Sequence, residues 1–139
     1  MAVDVEKLVR DYVAAWGTGD PKDLLSLITD DFVHEDMGEG IVFRGRAEIK
    51  GHLEETFAEL PDFHGEVKRV FVGDGWAASE GMMKGTDTVE LPSGEKAKKK
   101  FAVPTADIYE LEGGKIKRHA CYYDNATYLR QVGLLPEDS

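Results

Sequence analysis

The stretch that ends the predicted sheet carries three kinds of reactive side chain. Beyond the turn at Gly113-Gly114, strand-like alternation places His119, Cys121 and Tyr123 on one face. Asp124 follows where the strand gives way to a short amphipathic tail. An imidazole, a phenol and a carboxylate that share one space suit general acid/base catalysis, so we predict His119 and Asp124 as catalytic residues. Spacing alone leaves the direction of the Asp124 carboxylate open, and an N-cap of the tail helix is the structural alternative.

A second strand-like stretch, residues 32–37, also turns polar groups to one side. Phe32, His34 and Asp36 alternate on one face, which is unusual for a strand that only builds a core. We therefore predict that His34 contacts a ligand and that Asp36 is a further catalytic candidate, with a solvated carboxylate at a strand end as its alternative. The sequence offers no third ligand at motif spacing beside His34 and Asp36, so we expect no metal site.

Asp107 lies in a largely apolar segment with Ala106 and Ile108. A carboxyl group buried there must be hydrogen-bonded or protonated, so Asp107 is either structural or a donor to a ligand. His119 has the same alternative, as a hydrogen-bonded histidine of the wall. Cys121 is predicted as a small wall residue. The other residues that we predict as pocket lining or core are Trp16, Phe57, Met82 and Met83.

The elements that position these residues follow from periodicity. Apolar residues at helical spacing predict a first helix from Val5 to Trp16, with Asp4 as its cap and Gly17 at its end. Asp20-Pro21 begins a short second helix, and a third runs through Ile49, Leu53, Phe57 and Leu60.

Turn residues then separate four long strands, at about 64–72, 76–88, 96–111 and 115–123. This order predicts an α+β fold, in which a curved antiparallel sheet of four to six strands wraps around three helices from the N-terminal half. Such a cone encloses an apolar pocket that can desolvate a small ligand.

Composition narrows the function. The formal net charge of −10 argues against nucleic acid and anionic membrane surfaces as partners. A single cysteine fits a reducing compartment, and neither a membrane span nor a signal-peptide pattern is present, so we expect a cytoplasmic protein. The length of 139 residues predicts one domain over residues 1–139.

Several short stretches together resemble the SnoaL-like polyketide cyclase branch of the nuclear transport factor 2-like superfamily. They are Ala14-Ala15-Trp16 with Gly19-Asp20, Phe43-x-Gly45-x-x-x-Ile49, Leu60-Pro61-Asp62-Phe63-His64, Leu91-Pro92-Ser93-Gly94, Ala106-Asp107-Ile108-Tyr109, Gly114-Lys115-Ile116, and Asp124 followed by Leu129-Arg130-Gln131-Val132-Gly133.

The resemblance implies an aldol cyclisation of a small hydrophobic carbonyl compound without metal or organic cofactor. Asp124 would be the acid/base, and His119 with Tyr123 would polarise or position the substrate. Tyr109 would belong to the substrate-binding wall. A homodimer formed through the outer face of the sheet is also implied.

The ketosteroid isomerase-like branch matches other positions. There Asp36 would move the proton, while Tyr12 and Asp107 would hold the dienolate oxygen. The supporting tyrosine of that branch is replaced by Leu53, and the Arg-x-Asp of limonene epoxide hydrolase-like enzymes is replaced by Lys84-Gly85-Thr86. A module that binds a small molecule without catalysis is the remaining alternative.

Overall fold

The computed structural model describes residues 3–135. This part of the chain folds into four helices and six strands. In chain order they are α1 (Val5–Ala15), α2 (Pro21–Leu25), β1 (Ile28–Asp36), β2 (Ile41–Arg44), α3 (Gly45–Glu59), β3 (His64–Gly73), β4 (Trp76–Glu90), β5 (Lys96–Glu112), β6 (Lys115–Tyr123) and α4 (Asn125–Gln131).

The first two helices begin at the predicted caps. The Asp4 carboxylate accepts the backbone N–H of Lys7 at 3.0 Å, and Asp20 accepts that of Lys22 at the same distance. α2 ends at Leu25, because the chain is already extended at Ile28, where β1 begins. Within residues 3–135, none of the helices has the length and apolar character that crossing a membrane requires.

The strands form one sheet in the order β2-β1-β6-β5-β4-β3. The α+β fold class is confirmed, but the prediction of a purely antiparallel sheet needs correction because β1 and β6 pair in parallel. These two strands are not consecutive in the chain, so no hairpin forces them to run in opposite directions. β2 and β3 are left as edges, and the sheet is not closed into a barrel.

Helices α1 and α3 pack on the inner face of the sheet, against β3 and β1 respectively. The main core lies between these layers and includes the fully buried side chains of Val9, Phe32 and Leu53. A smaller core under α4 contains Val89, Phe101, Val103 and Val132. Trp16 from the first core and Phe101 from the second both line a cavity, which therefore lies between the two clusters.

Candidate functional site

The cavity between the two cores has a volume of about 210 Å³. Most of its wall is apolar, with histidine, carboxylate and phenol groups at a few points, as is common in sites for small hydrophobic ligands. Residues that line it include Trp16, His34, Asp36, Glu39, His52, Thr56, Leu60, Phe63, Ser79, Asp107, His119, Cys121 and Tyr123.

Strand register arranges the polar part of the wall in two rows. The first, which we call the ring row, runs across four neighbouring strands through Tyr109, His119, His34 and Phe43. The second, the acid row, lies one pleat further along and contains Ser79, Asp107, Cys121 and Asp36. Since neighbouring strands are about 4.8 Å apart, the α-carbons of Asp107 and Asp36 lie about 10 Å apart, with Cys121 between them.

A buried hydrogen-bond chain joins the two rows. The Tyr12 hydroxyl lies 2.8 Å from Nδ1 of His119, and Nε2 of His119 lies 2.7 Å from Oδ1 of Asp107. Burial raises the pKa of Tyr12 well above its usual value, so its hydroxyl remains protonated. Both ring nitrogens of His119 are thus bonded to protein groups, so His119 lines the cavity without a ring nitrogen left to bond a ligand.

The ring row is stacked. Tyr109 and His119 lie nearly parallel, with ring centroids 4.9 Å apart, and His34 stacks on the other side of His119 at 4.8 Å. The Tyr109 hydroxyl is 2.8 Å from the hydroxyl of Ser79. The stack fixes the planes of both imidazoles, because neither can turn without displacing a neighbour.

Asp36 lies at the other end of the acid row and is half-buried. Its Oδ2 accepts the Tyr123 hydroxyl at 3.1 Å, and its Oδ1 accepts the backbone N–H of Glu39 at 3.0 Å. Burial and the nearby charge of Asp36 raise the pKa of the Tyr123 phenol, so that phenol stays a donor to the carboxylate.

Asp107, His119 and Cys121 place one donor atom each within 4.8 Å of one another, which is the spacing of a possible metal site. In the structure His119 and Asp107 are hydrogen-bonded to each other, and the thiol of Cys121 beside them is neutral. Burial and then the charge of Asp107 raise the pKa of Cys121, and a thiol must lose its proton before it binds a metal.

Comparison with known families is decisive for the fold. Residues 9–119 match the model of the SnoaL-like domain. The chain belongs to this family. The resemblance that the sequence motifs suggested is therefore confirmed, although no curated protein matches the chain.

Solved structures support the same fold for this SnoaL-like domain. A protein with a ketosteroid isomerase-like fold from Catenulispora acidiphila, in complex with trimethylamine, is 26% identical over 96% of both chains, with a TM-score of 0.81. A candidate SnoaL-like polyketide cyclase from Shewanella putrefaciens is 15% identical and covers 97% of this chain and 100% of its own, with a TM-score of 0.82. IdmH, a candidate polyketide cyclase from Streptomyces antibioticus, is 23% identical over 94% and 99%, with a TM-score of 0.79. The last two likenesses show the fold alone.

The SnoaL-like domain brings most of the predicted site residues together. The nine that line its cavity are Trp16, His34, Asp36, Met82, Met83, Asp107, His119, Cys121 and Tyr123. Tyr12 and Tyr109 are fully buried behind the wall and contact it through His119. Phe57 is not part of the wall and packs against the main core.

Asp124 is the main correction to the predicted site. Its side chain is exposed and caps α4, since Oδ1 accepts the Thr127 N–H at 3.1 Å and Oδ2 accepts the Thr127 hydroxyl at 2.7 Å. These bonds lower the pKa of Asp124, which is the opposite of what a desolvated base needs. The turn into α4 carries the carboxylate away from the cavity, so the structural alternative describes this residue.

Several wall residues of the SnoaL-like domain were missed in the sequence. His52 and Thr56 line the cavity from α3 and Leu60 from the C-cap of that helix, and their spacing of four residues was the signal that could have found them. Glu39, in the loop after β1, also lines the cavity, and burial together with the charge of Asp36 raises its pKa. Loop residues have no periodicity, so no pattern pointed to Glu39.

Proposed function

We propose that this SnoaL-like domain is a cofactor-independent acid/base enzyme that acts on a small hydrophobic carbonyl compound. The observation that supports this most is the acid row, which sets the carboxyl groups of Asp36 and Asp107 on either side of Cys121 in an apolar cavity. A carbonyl compound that spans the row would have one acid near its α-carbon and the other near its oxygen.

In this proposal Asp36 is the base. It takes a proton from the carbon next to the carbonyl, and the electron pair of the broken C–H bond moves into an enolate. The Tyr123 hydroxyl, which donates to Oδ2 of Asp36 at 3.1 Å, keeps the carboxylate oriented toward the cavity. Fixed groups of this kind need no reorganisation during the reaction.

Asp107 would hold the enolate oxygen. Its Oδ1 is engaged by His119, so in the protonated form of the carboxyl group Oδ2 would donate a hydrogen bond to the enolate oxygen. His119, which bonds to Asp107, and Tyr12, which bonds to His119, would act as positioning residues. This arrangement differs from the isomerase-like prediction, in which Tyr12 itself would contact the oxygen.

Two outcomes share this first step. In an aldol cyclisation, the enolate carbon attacks a second carbonyl of the same molecule, and the resulting alkoxide recovers the proton from Asp36. In an isomerisation, Asp36 returns the proton to a different carbon. The candidate polyketide cyclases among the structural neighbours favour cyclisation, so we propose it first and isomerisation second.

Exchange of α-hydrogens tests the proposed step without the natural substrate. We expect the protein to accelerate exchange of the methyl hydrogens of 4-hydroxyacetophenone in D₂O, as followed by NMR. Asp36→Asn should slow the catalysed exchange about a hundredfold or more, because it removes the base. Asp124→Asn is the matched control, and this variant should catalyse the exchange of the ketone hydrogens at the rate of the unmodified protein. No acceleration by the unmodified protein, or equal rates with Asp36→Asn, would contradict the proposal.

A second candidate function is the binding of a small organic amine without catalysis. The Catenulispora acidiphila neighbour was solved with trimethylamine. In this chain the rings of Trp16, Phe63 and Tyr123 and the carboxylate of Asp36 line the cavity, and aromatic faces and carboxylates attract cations. Calorimetric binding of trimethylammonium, with no exchange of ketone hydrogens, would favour this function.

We further propose that residues 1–139 form a single domain, that it works in the cytoplasm, and that it forms a homodimer through the outer face of its sheet. The free thiol of Cys121 fits a reducing compartment.

The proposed dimer surface is the outer face of the sheet. This face exposes Phe71, Trp76, Ile108 and Tyr122, which is more apolar surface than scattered single residues would give.

A further inference from the structure

The imidazole of His34 has a fixed position in the ring row. It is only 4% exposed, and its ring lies between those of His119 and Phe43, at centroid distances of 4.8 and 6.0 Å. Trp16 covers it at 5.2 Å. Rotation of this ring would collide with its neighbours, so its two nitrogens keep their directions.

One nitrogen of His34 has an unambiguous role. Nδ1 lies 3.3 Å from the backbone carbonyl oxygen of His119. A carbonyl oxygen only accepts hydrogen bonds, so Nδ1 must carry the hydrogen. Because β1 and β6 are paired with His34 directly opposite His119, the acceptor is held by the sheet itself. The neutral ring is therefore the Nδ1–H tautomer.

The other nitrogen, Nε2, makes no hydrogen bond with any residue from 3 to 135. In the same part of the chain, Nε1 of Trp16 is the one fully buried side-chain polar atom without a hydrogen-bond partner. Nε2 of His34 is thus unpaired and not fully buried, which means that it reaches the open space of the cavity that His34 lines.

His34 also resists protonation. Burial, and then the positive charges that His119 and His52 can carry, lower its pKa well below the usual value. The ring is therefore neutral near pH 7, and Nε2 presents a lone pair to the cavity.

We propose that Nε2 of His34 is a fixed hydrogen-bond acceptor for the ligand, so that the protein selects carbonyl compounds that also carry an O–H or N–H group. This inference rests on the proposed function and narrows its substrate class. A carbonyl oxygen cannot satisfy Nε2, because both are acceptors. The two polar ends of the ligand would thus be recognised at different places, the carbonyl at the acid row and the donor at the ring row.

The first test concerns the free protein. In ¹⁵N-labelled protein, long-range imidazole spectra near pH 7 should show His34 as a neutral ring protonated at Nδ1. A ring protonated at Nε2, or a charged ring, would overturn the inference and leave the proposed acid/base function standing.

The second test compares three ligands of similar shape. We expect 4-hydroxyacetophenone and 4-aminoacetophenone to bind at least about tenfold more tightly than 4-methoxyacetophenone, since the methoxy group leaves Nε2 unpaired. The Nε2 resonance of His34 should shift with the first two ligands and not with the third.

Variants separate the possible outcomes. His34→Phe keeps a ring in the stack and should reduce the preference to less than about twofold, whereas His64→Gln, outside the cavity on an exposed site, should retain it. Equal affinities in the unmodified protein, or a preference that survives His34→Phe, would overturn the inference alone. If none of the three compounds perturbs the cavity residues at millimolar concentration, the proposed carbonyl-binding function fails together with the inference.

Discussion

Three aspartates of this molecule have different environments, and the environment decides what each can do. Asp36 is half-buried at the cavity with a phenol donor, and Asp107 is buried against an imidazole. Asp124 is exposed and bonded twice to Thr127. The same side chain is thus a candidate base, a candidate donor and a helix cap.

The cap role of Asp124 predicts a specific pattern of stability. Asp124→Ala should lower the thermal unfolding midpoint, because α4 loses the acceptor for its first-turn N–H. Asp124→Asn should retain most of the stability, since asparagine is an equally good N-cap. Differential scanning calorimetry of both variants measures this difference, and equal destabilisation by alanine and asparagine would argue against a capping role.

His34 predicts how stability depends on pH. Its folded pKa lies below the unfolded value of 6.5, so the unfolded chain takes up a proton that the folded protein refuses. The stabilising contribution is complete above pH 6.5 and is lost as pH falls from there toward the folded pKa. Urea unfolding at pH 7 and pH 5 should show a smaller loss for His34→Phe than for the unmodified protein. An identical loss of stability in both proteins would mean that His34 takes up a proton in the folded protein as readily as in the unfolded chain.

At the residue scale, the sequence predicted which faces the site residues share but not what they bond to. Alternation correctly placed His34 with Asp36 and His119 with Cys121 on the inner face. The bond between Tyr12 and His119 joins residues 107 positions apart, and no local pattern specifies such a pair. Asp124 was ambiguous because a strand end and a helix start meet at that residue.

At the scale of elements, the outline of helices and strands was predictable because caps and turns are local. Asp4, Asp20 and Pro21 begin the first two helices as predicted. The parallel pairing of β1 with β6 was not predictable, because periodicity tells which face of a strand a residue occupies but not which strand lies beside it.

The contact between β3 and β4 gives a prediction at this scale. The pairing of the two strands shifts by one residue between Val67 and Arg69, which is a β-bulge. Beside this bulge, the backbone oxygen of Glu66 lies 1.9 Å from the position that a Cβ atom on residue 81 would occupy. Gly81→Ala should therefore destabilise the protein by about 1–3 kcal/mol. Denaturant unfolding measures the change.

Gly51 is the matched control for that substitution. It lies in α3, and among residues 3–135 nothing outside the adjacent residues and the local helix backbone lies within 4 Å of an added methyl group. Gly51→Ala should therefore stabilise the protein by about 0.5–1 kcal/mol through helix propensity. If both alanine variants changed stability in the same direction, the close approach at Gly81 would not be the cause.

At the scale of the whole molecule, charge and apolar surface oppose each other in the proposed dimer. Each chain carries a formal charge of −10, so two copies repel, while Ile108 and its neighbours on the outer face favour association. Raising the salt concentration to about 0.5 M should therefore strengthen the dimer by screening. Sedimentation equilibrium at low and high salt measures the dissociation constant.

A pair of variants locates the dimer surface. Ile108→Glu places a charge in the middle of the outer face and should yield monomers. Val72→Glu changes an exposed residue that points to the opposite side of the sheet, and should leave the association unchanged. Loss of the dimer in Val72→Glu alone would assign the contact to another surface.

The parallel pairing of β1 with β6 has a consequence for synthesis of the protein. Both rows of the cavity wall take residues from these two strands, in which the paired residues His34 and His119 are 85 positions apart. A nascent polypeptide on the ribosome consequently has no binding site until its last strand has emerged. A ligand that reaches from His34 on β1 to Asp107 on β5 would hold together strands that are synthesised at different times, and would slow the hydrogen exchange of the most protected amides by mass action.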